Sequence, residues 1–167
     1  MNVKRHKGYE REAPNSHIIQ GVSPIVFIII WFLDSQVFRF STYLNIFVLF
    51  PIRLILFIIV FAISITFIMF SHRTLFKSHE PSNKLITDGI LRYVRNPMYF
   101  GILLIYVAFL VLSISLIGIG LFIIVFLVYN WMVNYEEKIL EDIFGDEYRE
   151  YKSKVPKWIP NPFRKIK

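Results

Sequence analysis

Four long apolar stretches constrain the fold of this chain more than any other feature of its sequence. A helix needs roughly 20 mostly apolar residues to cross a bilayer, and the stretches lie at Ile18–Phe38, Ile52–Phe70, Met98–Ser115 and Leu116–Val133. They predict an all-α integral membrane bundle of about four transmembrane helices, followed by a cytoplasmic helical tail. Residues 41–51 are too few to cross the bilayer and end in a proline. We expect them to form a re-entrant or interfacial segment, and a re-entrant segment would be a fifth membrane element.

The composition agrees with a membrane protein. Of the 167 residues, 55% are hydrophobic and 19% are charged, whereas soluble domains average about 45–50% and about 25%. The absence of cysteine excludes disulfides, thiolate metal sites and a cysteine nucleophile. The first apolar stretch lacks a small-residue cleavage site, so we expect it to be a retained span and not a signal peptide.

The distribution of positive charge predicts the topology. All but two of the 19 Lys and Arg residues fall in the N-terminal arm, in residues 71–97 or after residue 134, and only Arg39 and Arg53 lie on the other side of a four-span arrangement. Positive residues accumulate in cytoplasmic segments. We therefore expect a multi-pass protein, in the plasma membrane of a prokaryote, with both termini cytoplasmic.

The same distribution argues against two other classes of partner. Topology accounts for the net charge of +7, and no basic groove with interleaved aromatic residues accompanies it, so no nucleic-acid partner is expected. His72 and His79 are predicted to be loop residues without the spacing of metal ligands, so no metal site is expected. The sequence leaves the oligomeric state open.

A tight hairpin between the third and fourth spans brings two polar blocks together. The spans are separated by little more than "SISLIGIG", whose glycines are expected to permit the turn. Residues 96–99 and 134–137 then return to the same membrane depth, as a functional site requires. We divide the chain into residues 1–70, the arm and first two spans, and residues 71–167, which hold the site.

The first polar block contains "TDGILRYVRNPMYFG". It predicts a turn at the Asp-Gly pair, a short helical or extended stretch, and a break at Asn96–Pro97. Pro97 suits the first turn of the third helix, whose N-terminus would complement an anionic group. In the alternative interpretation, Arg92 and Arg95 are only positive-inside anchors and Asn96 is only a helix cap.

The second block places Glu136 and Glu137 where the fourth helix is expected to leave the bilayer. Acidic side chains near a helix C-terminus oppose its dipole, so they call for a cationic partner, either a ligand or Arg95 across the hairpin. A solvated helix extension is the alternative.

Asp34 is a separate acidic residue within the first span. An intramembrane acid is by default a functional hypothesis. We favour the alternative that Asp34 lies near the interface and forms a hydrogen bond with Ser35 or Gln36.

The order of these motifs resembles a known family. "KLITDGILRYVRNPMYFG", the hairpin and "EEKILEDIFGDEYREYKSKVPKWIP" resemble the isoprenylcysteine carboxyl methyltransferases, which are integral-membrane enzymes, and more distantly the phospholipid methyltransferases. The resemblance covers about residues 79–160. It implies transfer of a methyl group from S-adenosylmethionine, bound on the cytoplasmic side, to a lipophilic acceptor that is a carboxylate or a lipid head group.

From their positions in the two polar blocks, we expect Arg95 and Glu137 to act in catalysis, with Arg95 orienting the reactants. The resemblance implies the residues that bind the cofactor. The expected cofactor-binding residues are Lys84, Leu85, Ile86 and Gly89 in the first stretch, then Asn96, Pro97, Met98 and Tyr99, and finally Glu136.

Three departures from the family pattern bear on the substrate. Asn96 replaces the usual histidine, Leu91 stands where a tyrosine is frequent, and Met132 stands where the isoprenylcysteine enzymes have a substrate-linked arginine. The resemblance therefore does not establish a prenyl-cysteine acceptor. Two alternative functions remain. The chain could be an NADPH-dependent membrane reductase with a related C-terminal architecture, or a non-catalytic membrane scaffold.

Overall fold

The computed structural model describes residues 13–75 and 84–160, and in these two ranges every regular element is helical. The α-helices are α1 (Ser16–Phe32), α2 (Phe50–Leu75), α3 (Pro97–Leu112), α4 (Leu116–Phe144) and α5 (Asp146–Lys154). A π-helix, Leu33–Phe38, continues α1, and two 3-10 helices lie at Tyr43–Phe47 and Gly89–Arg92. The predicted all-α class is confirmed.

Three of these helices are long and apolar enough to cross a membrane. They are α1 with its π-helical extension (23 residues), α2 (26 residues) and α4 (29 residues), whereas α3 is a shorter apolar helix of 16 residues. Large apolar side chains on the outer faces are exposed, among them Ile58 on α2 and Ile124 on α4. An apolar exterior is what lipid-facing helices require, so the predicted membrane bundle is confirmed.

The α2 and α3 helices pack closely because small residues line their contact. A Cβ added at Gly101 would lie 2.8 Å from Cγ1 of Ile68 and 3.1 Å from the carbonyl oxygen of Ser64. The Ser64 hydroxyl donates a hydrogen bond to the carbonyl of Gly101 at 2.8 Å. Small residues and hydroxyl groups at such contacts are typical of membrane helices. This contact crosses the boundary that we place at residue 70, and the two-part division stays a prediction.

The hairpin between α3 and α4 turns at Ser113–Ser115 and not at its glycines, so that part of the prediction is wrong. Gly118 and Gly120 lie inside α4, and neither has a positive φ. Gly118 has a packing role instead, because a Cβ there would lie 2.8 Å from Cδ2 of Leu110. The side chain of Ser115 caps α4 by accepting a hydrogen bond from the Gly118 N–H at 2.8 Å.

Asp34 fastens the end of α1 to this turn, with partners other than those expected. Its carboxylate accepts hydrogen bonds from the hydroxyls of Ser41 and Ser115 and, at 3.0 Å, from the Ser41 N–H. Ser35 and Gln36 are not its partners. The difference arises because the chain doubles back after the π-helix, which brings Ser41 and the hairpin turn onto Asp34. Residues 43–47 form a 3-10 helix between α1 and α2.

Two further expectations about helix ends need correction. The α4 helix does not end near residue 133 but continues to Phe144, so Glu136 and Glu137 lie about two turns inside it and do not oppose its C-terminal dipole. His72 lies within α2 and not in a loop, because α2 extends beyond the apolar run. His79 lies outside the described residues, and in the described ranges no group of three potential metal ligands occurs.

Candidate functional site

The segment before α3 begins with a turn at Gly89, and α3 itself starts at a proline, as the sequence predicts. Gly89 has φ +60°, and a Cβ there would lie 2.8 Å from Oγ1 of Thr74 on α2. Glycine is therefore required for backbone conformation and for packing against α2. The 3-10 helix follows, and Pro97 occupies the first turn of α3.

Asn96 joins the start of α3 to α4. Its Nδ2 donates a hydrogen bond to Oε1 of Glu137 at 2.9 Å, and α3 has no side-chain cap. The alternative that Asn96 is a helix cap is thus not supported. The amide of Asn96 is turned towards α4 instead.

Tyr99 and Glu136 form a second link at the same level. The Tyr99 hydroxyl donates a hydrogen bond to Oε1 of Glu136 at 2.6 Å. Asn96 and Tyr99 therefore contact Glu137 and Glu136 respectively, and the predicted meeting of the two polar blocks is observed.

Arg95 is buried among the residues of the tail. Its Nε lies 3.2 Å from Oε1 of Glu137, and the two side chains are only 9% and 5% exposed. Its Nη1 donates to the carbonyl of Lys152 at 2.9 Å, and its backbone N–H donates to the carbonyl of Pro156 at 3.0 Å. Because helical geometry begins only at Pro97, Arg95 does not share a helix face with Tyr99.

Arg92 differs from Arg95 in every respect that bears on function. It forms an exposed ion pair with Asp88 at 2.8 Å, with side chains 58% and 79% exposed. Exposed pairs contribute about 0–1 kcal/mol to stability. Arg92 is therefore a surface charge.

The tail covers this segment through an aromatic cluster. Tyr148, Tyr151 and Val155 are buried together, with Leu85 packed against them. The Tyr151 hydroxyl donates to the carbonyl of Leu91 at 2.7 Å. Burial raises the pKa of both tyrosines above the ordinary value, so they are neutral hydrogen-bonding groups at physiological pH. The tyrosines of "FGDEYREY" thus hold the tail in place.

The predicted residues therefore divide into two groups. Those that meet are Arg95, Asn96, Tyr99, Glu136 and Glu137. Leu85 packs in the tail cluster and Gly89 packs against α2, while Lys84 is exposed. Pro97 is buried and Met98 is half-buried at the start of α3.

The structure adds residues of α1 that sequence reasoning missed. Gln20 Nε2 donates a hydrogen bond to the Tyr99 hydroxyl at 3.3 Å. Ser23 Oγ lies 3.1 Å from the hydroxyl of Tyr106 and 3.3 Å from that of Tyr129. The sequence offered one sign of their role: Gln20 and Ser23 are polar residues three positions apart within an apolar span. Polar side chains in such a span need hydrogen-bond partners.

An apolar groove of about 350 Å³ lies beside this polar contact, between α1 and α4. Its walls include Ile18, Val22 and Val26 from α1 and Ile124 from α4. Tyr129 also lines it, and the ring of Tyr129 packs edge-on against that of Tyr99 with centroids 5.8 Å apart. One aromatic pair therefore separates the groove from the Tyr99–Glu136 link.

Comparisons with known proteins agree on the type of enzyme. The chain is 36% identical over 106 residues to methanethiol S-methyltransferase 1 of Bradyrhizobium diazoefficiens, covering 57% of this chain and 36% of the relative. It is 34% identical over 92 residues to the protein-S-isoprenylcysteine O-methyltransferase of Schizosaccharomyces pombe, covering 54% and 39%. The corresponding B enzyme of Arabidopsis thaliana is 33% identical over 82 residues, covering 48% and 42%.

The matches extend over only about two fifths of these relatives' length. No solved structure matches the chain significantly. The model of the phospholipid methyltransferase family matches residues 46–147, which include the whole of α2, α3 and α4. This match covers more than half of the chain and contains the Asn96–Glu137 and Tyr99–Glu136 links. The chain therefore belongs to the phospholipid methyltransferase family.

Proposed function

We propose that this protein transfers a methyl group from S-adenosylmethionine to a lipophilic acceptor, a carboxylate or a lipid head group, at the cytoplasmic face of the membrane. The observation that carries the proposal is the pairing of Tyr99 with Glu136 beside an apolar groove between α1 and α4. The names of the relatives support a methyltransferase. They do not identify the acceptor.

The polar groups fit the charge pattern of the methyl donor. A sulfonium and an ammonium are cationic, and Glu136 supplies a carboxylate at 2.6 Å from the Tyr99 hydroxyl. The donor also has a carboxylate, which the uncapped N-terminus of α3 would complement. Asn96 lies between these groups and keeps an amide for hydrogen bonding, as we expected from its position in the motif.

The reaction requires alignment more than acid–base chemistry. The bond from the methyl carbon to sulfur breaks as the acceptor atom forms its bond to that carbon, and positioning the two reactants is the main source of acceleration for such a displacement. An ionised carboxylate acceptor has no proton to lose, so the replacement of a titratable histidine by Asn96 is compatible with this reaction.

Arg95 and Glu137 support this site and do not line it. Their side chains are buried against each other and against the tail. In this arrangement Glu137 accepts a hydrogen bond from the amide of Asn96, and Arg95 lies within ion-pair distance of Glu137. We therefore propose a positioning role for both, in place of the direct contact with reactants that the sequence suggested.

The groove between α1 and α4 offers the acceptor a path from the bilayer. The groove has the volume of a small-molecule site, for which about 300 Å³ is the lower end, and its lining residues are uncharged. It favours an acceptor with an apolar chain, whose reactive end would reach the Tyr99–Tyr129 pair.

The two arginines of the segment before α3 give no support to the reductase alternative. Arg92 is paired with Asp88 and Arg95 is buried with Glu137, so neither is set aside for a 2′-phosphate. Calorimetry on the detergent-solubilised protein separates the possibilities. We expect saturable binding of S-adenosylhomocysteine and none of NADPH. The opposite result would favour the reductase, and a folded protein that binds neither ligand would favour the scaffold.

A further inference from the structure

Gln20 is a polar residue of α1 whose side chain contacts α3. Its Nε2 donates a hydrogen bond to the Tyr99 hydroxyl at 3.3 Å, and that hydroxyl donates to Oε1 of Glu136 at 2.6 Å. The three side chains form a series of hydrogen bonds from α1 through α3 to α4. Tyr99 and Glu136 lie within residues 46–147, which match the family model, whereas Gln20 lies outside them. The first helix thus adds a contact to a pair that the matched part of the chain supplies.

The direction of these hydrogen bonds follows from the groups involved. An ionised carboxylate only accepts hydrogen bonds, and a phenol has one proton. Because Tyr99 gives that proton to Glu136, its oxygen can only accept from Gln20. Gln20 must therefore present its amide NH₂ to Tyr99 and not its carbonyl oxygen. By engaging a lone pair of the Tyr99 oxygen, the amide favours the orientation in which the phenol proton points to Glu136.

The Tyr99 hydroxyl in turn fixes the orientation of the Glu136 carboxylate. The backbone N–H of Ala13 approaches the same oxygen, Oε1, at 3.4 Å. Two donors on one oxygen restrict rotation of the carboxylate, and hydrogen bonds in series strengthen one another. Loss of the amide of Gln20 should therefore loosen the Glu136 carboxylate, although the two side chains are joined only through Tyr99.

The contact made by Gln20 is distinct from the groove between α1 and α4. Ser23, three residues later, lines that groove together with Tyr129, and Gln20 is not among the lining residues. The first helix therefore meets the proposed path of the acceptor at Ser23 and the Tyr99–Glu136 link at Gln20. An effect on the methyl donor can be measured separately from an effect on the acceptor.

We propose that Gln20 is a positioning residue for methyl transfer, which directs the Tyr99 hydroxyl to Glu136 and so holds the carboxylate that binds the methyl donor. The inference rests on the proposed function, in which Glu136 contacts S-adenosylmethionine. The competing account is that Gln20 only joins α1 to α3, as hydrogen-bonding side chains do between membrane helices.

Gln20→Met tests the role of the amide. Methionine is also unbranched but cannot donate a hydrogen bond. We expect the affinity for S-adenosylhomocysteine, measured by calorimetry on the detergent-solubilised protein, to fall about two- to tenfold, as for the loss of one hydrogen bond. The thermal unfolding temperature should change little, because an apolar side chain suits a membrane span. Gln36→Met, at an exposed position of the π-helix that continues α1, is the matched control and should bind like the wild type.

A double-mutant cycle shows whether Gln20 acts through Tyr99. Tyr99→Phe removes the hydroxyl and should itself weaken binding. Adding Gln20→Met to Tyr99→Phe should then cause no further loss, so that the two effects are not additive. Gln20→Asn removes the contact by a second route, because it keeps the amide on a side chain that is one methylene shorter. It should weaken binding as Gln20→Met does, and it provides the measurement if the methionine variant does not fold.

Steady-state kinetics distinguish positioning of Glu136 from a displacement of α1. With labelled S-adenosylmethionine and a lipophilic carboxylate, Gln20→Met should raise the KM for the donor about two- to tenfold and leave the KM for the acceptor unchanged. A displaced α1 would also disturb the groove wall at Ile18 and Val22, and the KM for the acceptor would rise as well.

Three results would overturn the inference. They are unchanged S-adenosylhomocysteine binding in Gln20→Met, an equal loss from this change in the wild-type and Tyr99→Phe proteins, and a rise in KM for both substrates. Each would make Gln20 a contact between helices only. Failure of the wild type to bind S-adenosylhomocysteine would contradict the proposed function itself, whereas wild-type binding that Gln20→Met does not weaken would contradict only this inference.

Discussion

The Tyr99 hydroxyl donates a hydrogen bond to Glu136 at 2.6 Å and itself accepts one from Gln20 at 3.3 Å. The backbone N–H of Ala13 also lies 3.4 Å from the same carboxylate oxygen. The segment before α1 and residues of α3 and α4 thus meet at one carboxylate. A ligand that binds Glu136 must share it with, or displace, the N–H of Ala13 and the hydroxyl of Tyr99.

This convergence makes Glu136 the first residue to test. Glu136→Gln keeps the size and one carbonyl acceptor but removes the negative charge. We expect S-adenosylhomocysteine to bind more weakly by about 1.5–3 kcal/mol, the usual contribution of a hydrogen bond to a charged group. Calorimetry measures the change. Glu147→Gln, at an exposed position of α5, is the control, and equal affinity in both variants would make Glu136 a structural residue only.

The meeting of residues 96–99 with residues 134–137 could be predicted because a short connection between two apolar spans fixes their relative depth. The contribution of α1 could not be predicted, because Gln20 and Ser23 belong to no motif and their partners are distant in sequence. The hairpin turn was wrongly assigned to glycines. The two glycines nearby suggested a flexible turn, whereas Ser115 caps α4 and starts the helix before them. The end of α4 was placed too early because hydropathy marks where a helix leaves the membrane and not where it ends.

The requirement for glycine differs sharply between two positions. Gly89 has φ +60° and is backed by Thr74, whereas Gly120 lies in α4 with no atom within 4 Å of an added Cβ. We expect Gly89→Ala to lower the thermal unfolding temperature, because both strain and a clash are introduced. Gly120→Ala should leave it unchanged or raise it, since alanine favours a helix by about 1 kcal/mol. Equal effects would mean that the turn at Gly89 adapts easily.

Asp34 should affect stability and not ligand binding. Its carboxylate accepts hydrogen bonds from two hydroxyls and one N–H, and Asp34→Asn would turn an NH₂ group towards donors. We expect a loss of about 1–3 kcal/mol, as for an unsatisfied buried group, with unchanged affinity for S-adenosylhomocysteine. The neighbouring Ser35 hydroxyl is buried without a partner among the described residues, so Ser35→Ala is a control that should be nearly neutral. Weakened ligand binding in Asp34→Asn alone would instead support a functional role for this acid.

The predicted topology can be tested by single-cysteine labelling, since the chain has no cysteine. Asn15→Cys before α1 and Glu147→Cys in α5 should react from the cytoplasmic side. Ile46→Cys, in the 3-10 helix between α1 and α2 and 80% exposed, should react from the opposite side. Labelling of Asn15→Cys and Glu147→Cys from different sides would contradict an even number of crossings between them.

Arg95 and Arg92 provide the sharpest comparison of a buried and an exposed charge in the same segment. Arg95→Ala leaves Glu137 buried without its partner, and such a change typically costs about 3–5 kcal/mol. Arg92→Ala removes an exposed pair of about 0–1 kcal/mol. We therefore expect a large fall in thermal unfolding temperature for the first variant and little change for the second.

Arg95→Lys separates charge from geometry at this position. Lysine restores a positive charge near Glu137, but a single ammonium cannot reproduce the planar group that reaches both Glu137 and the carbonyl of Lys152. We expect partial recovery of stability and a methyl-transfer rate, measured with labelled S-adenosylmethionine and a lipophilic carboxylate, that stays well below that of the wild type. Because Glu137 positions Asn96, the rate should fall even where the protein remains folded. Full activity in Arg95→Lys would show that charge alone suffices, and equal losses at Arg92 and Arg95 would mean that both arginines only anchor the protein.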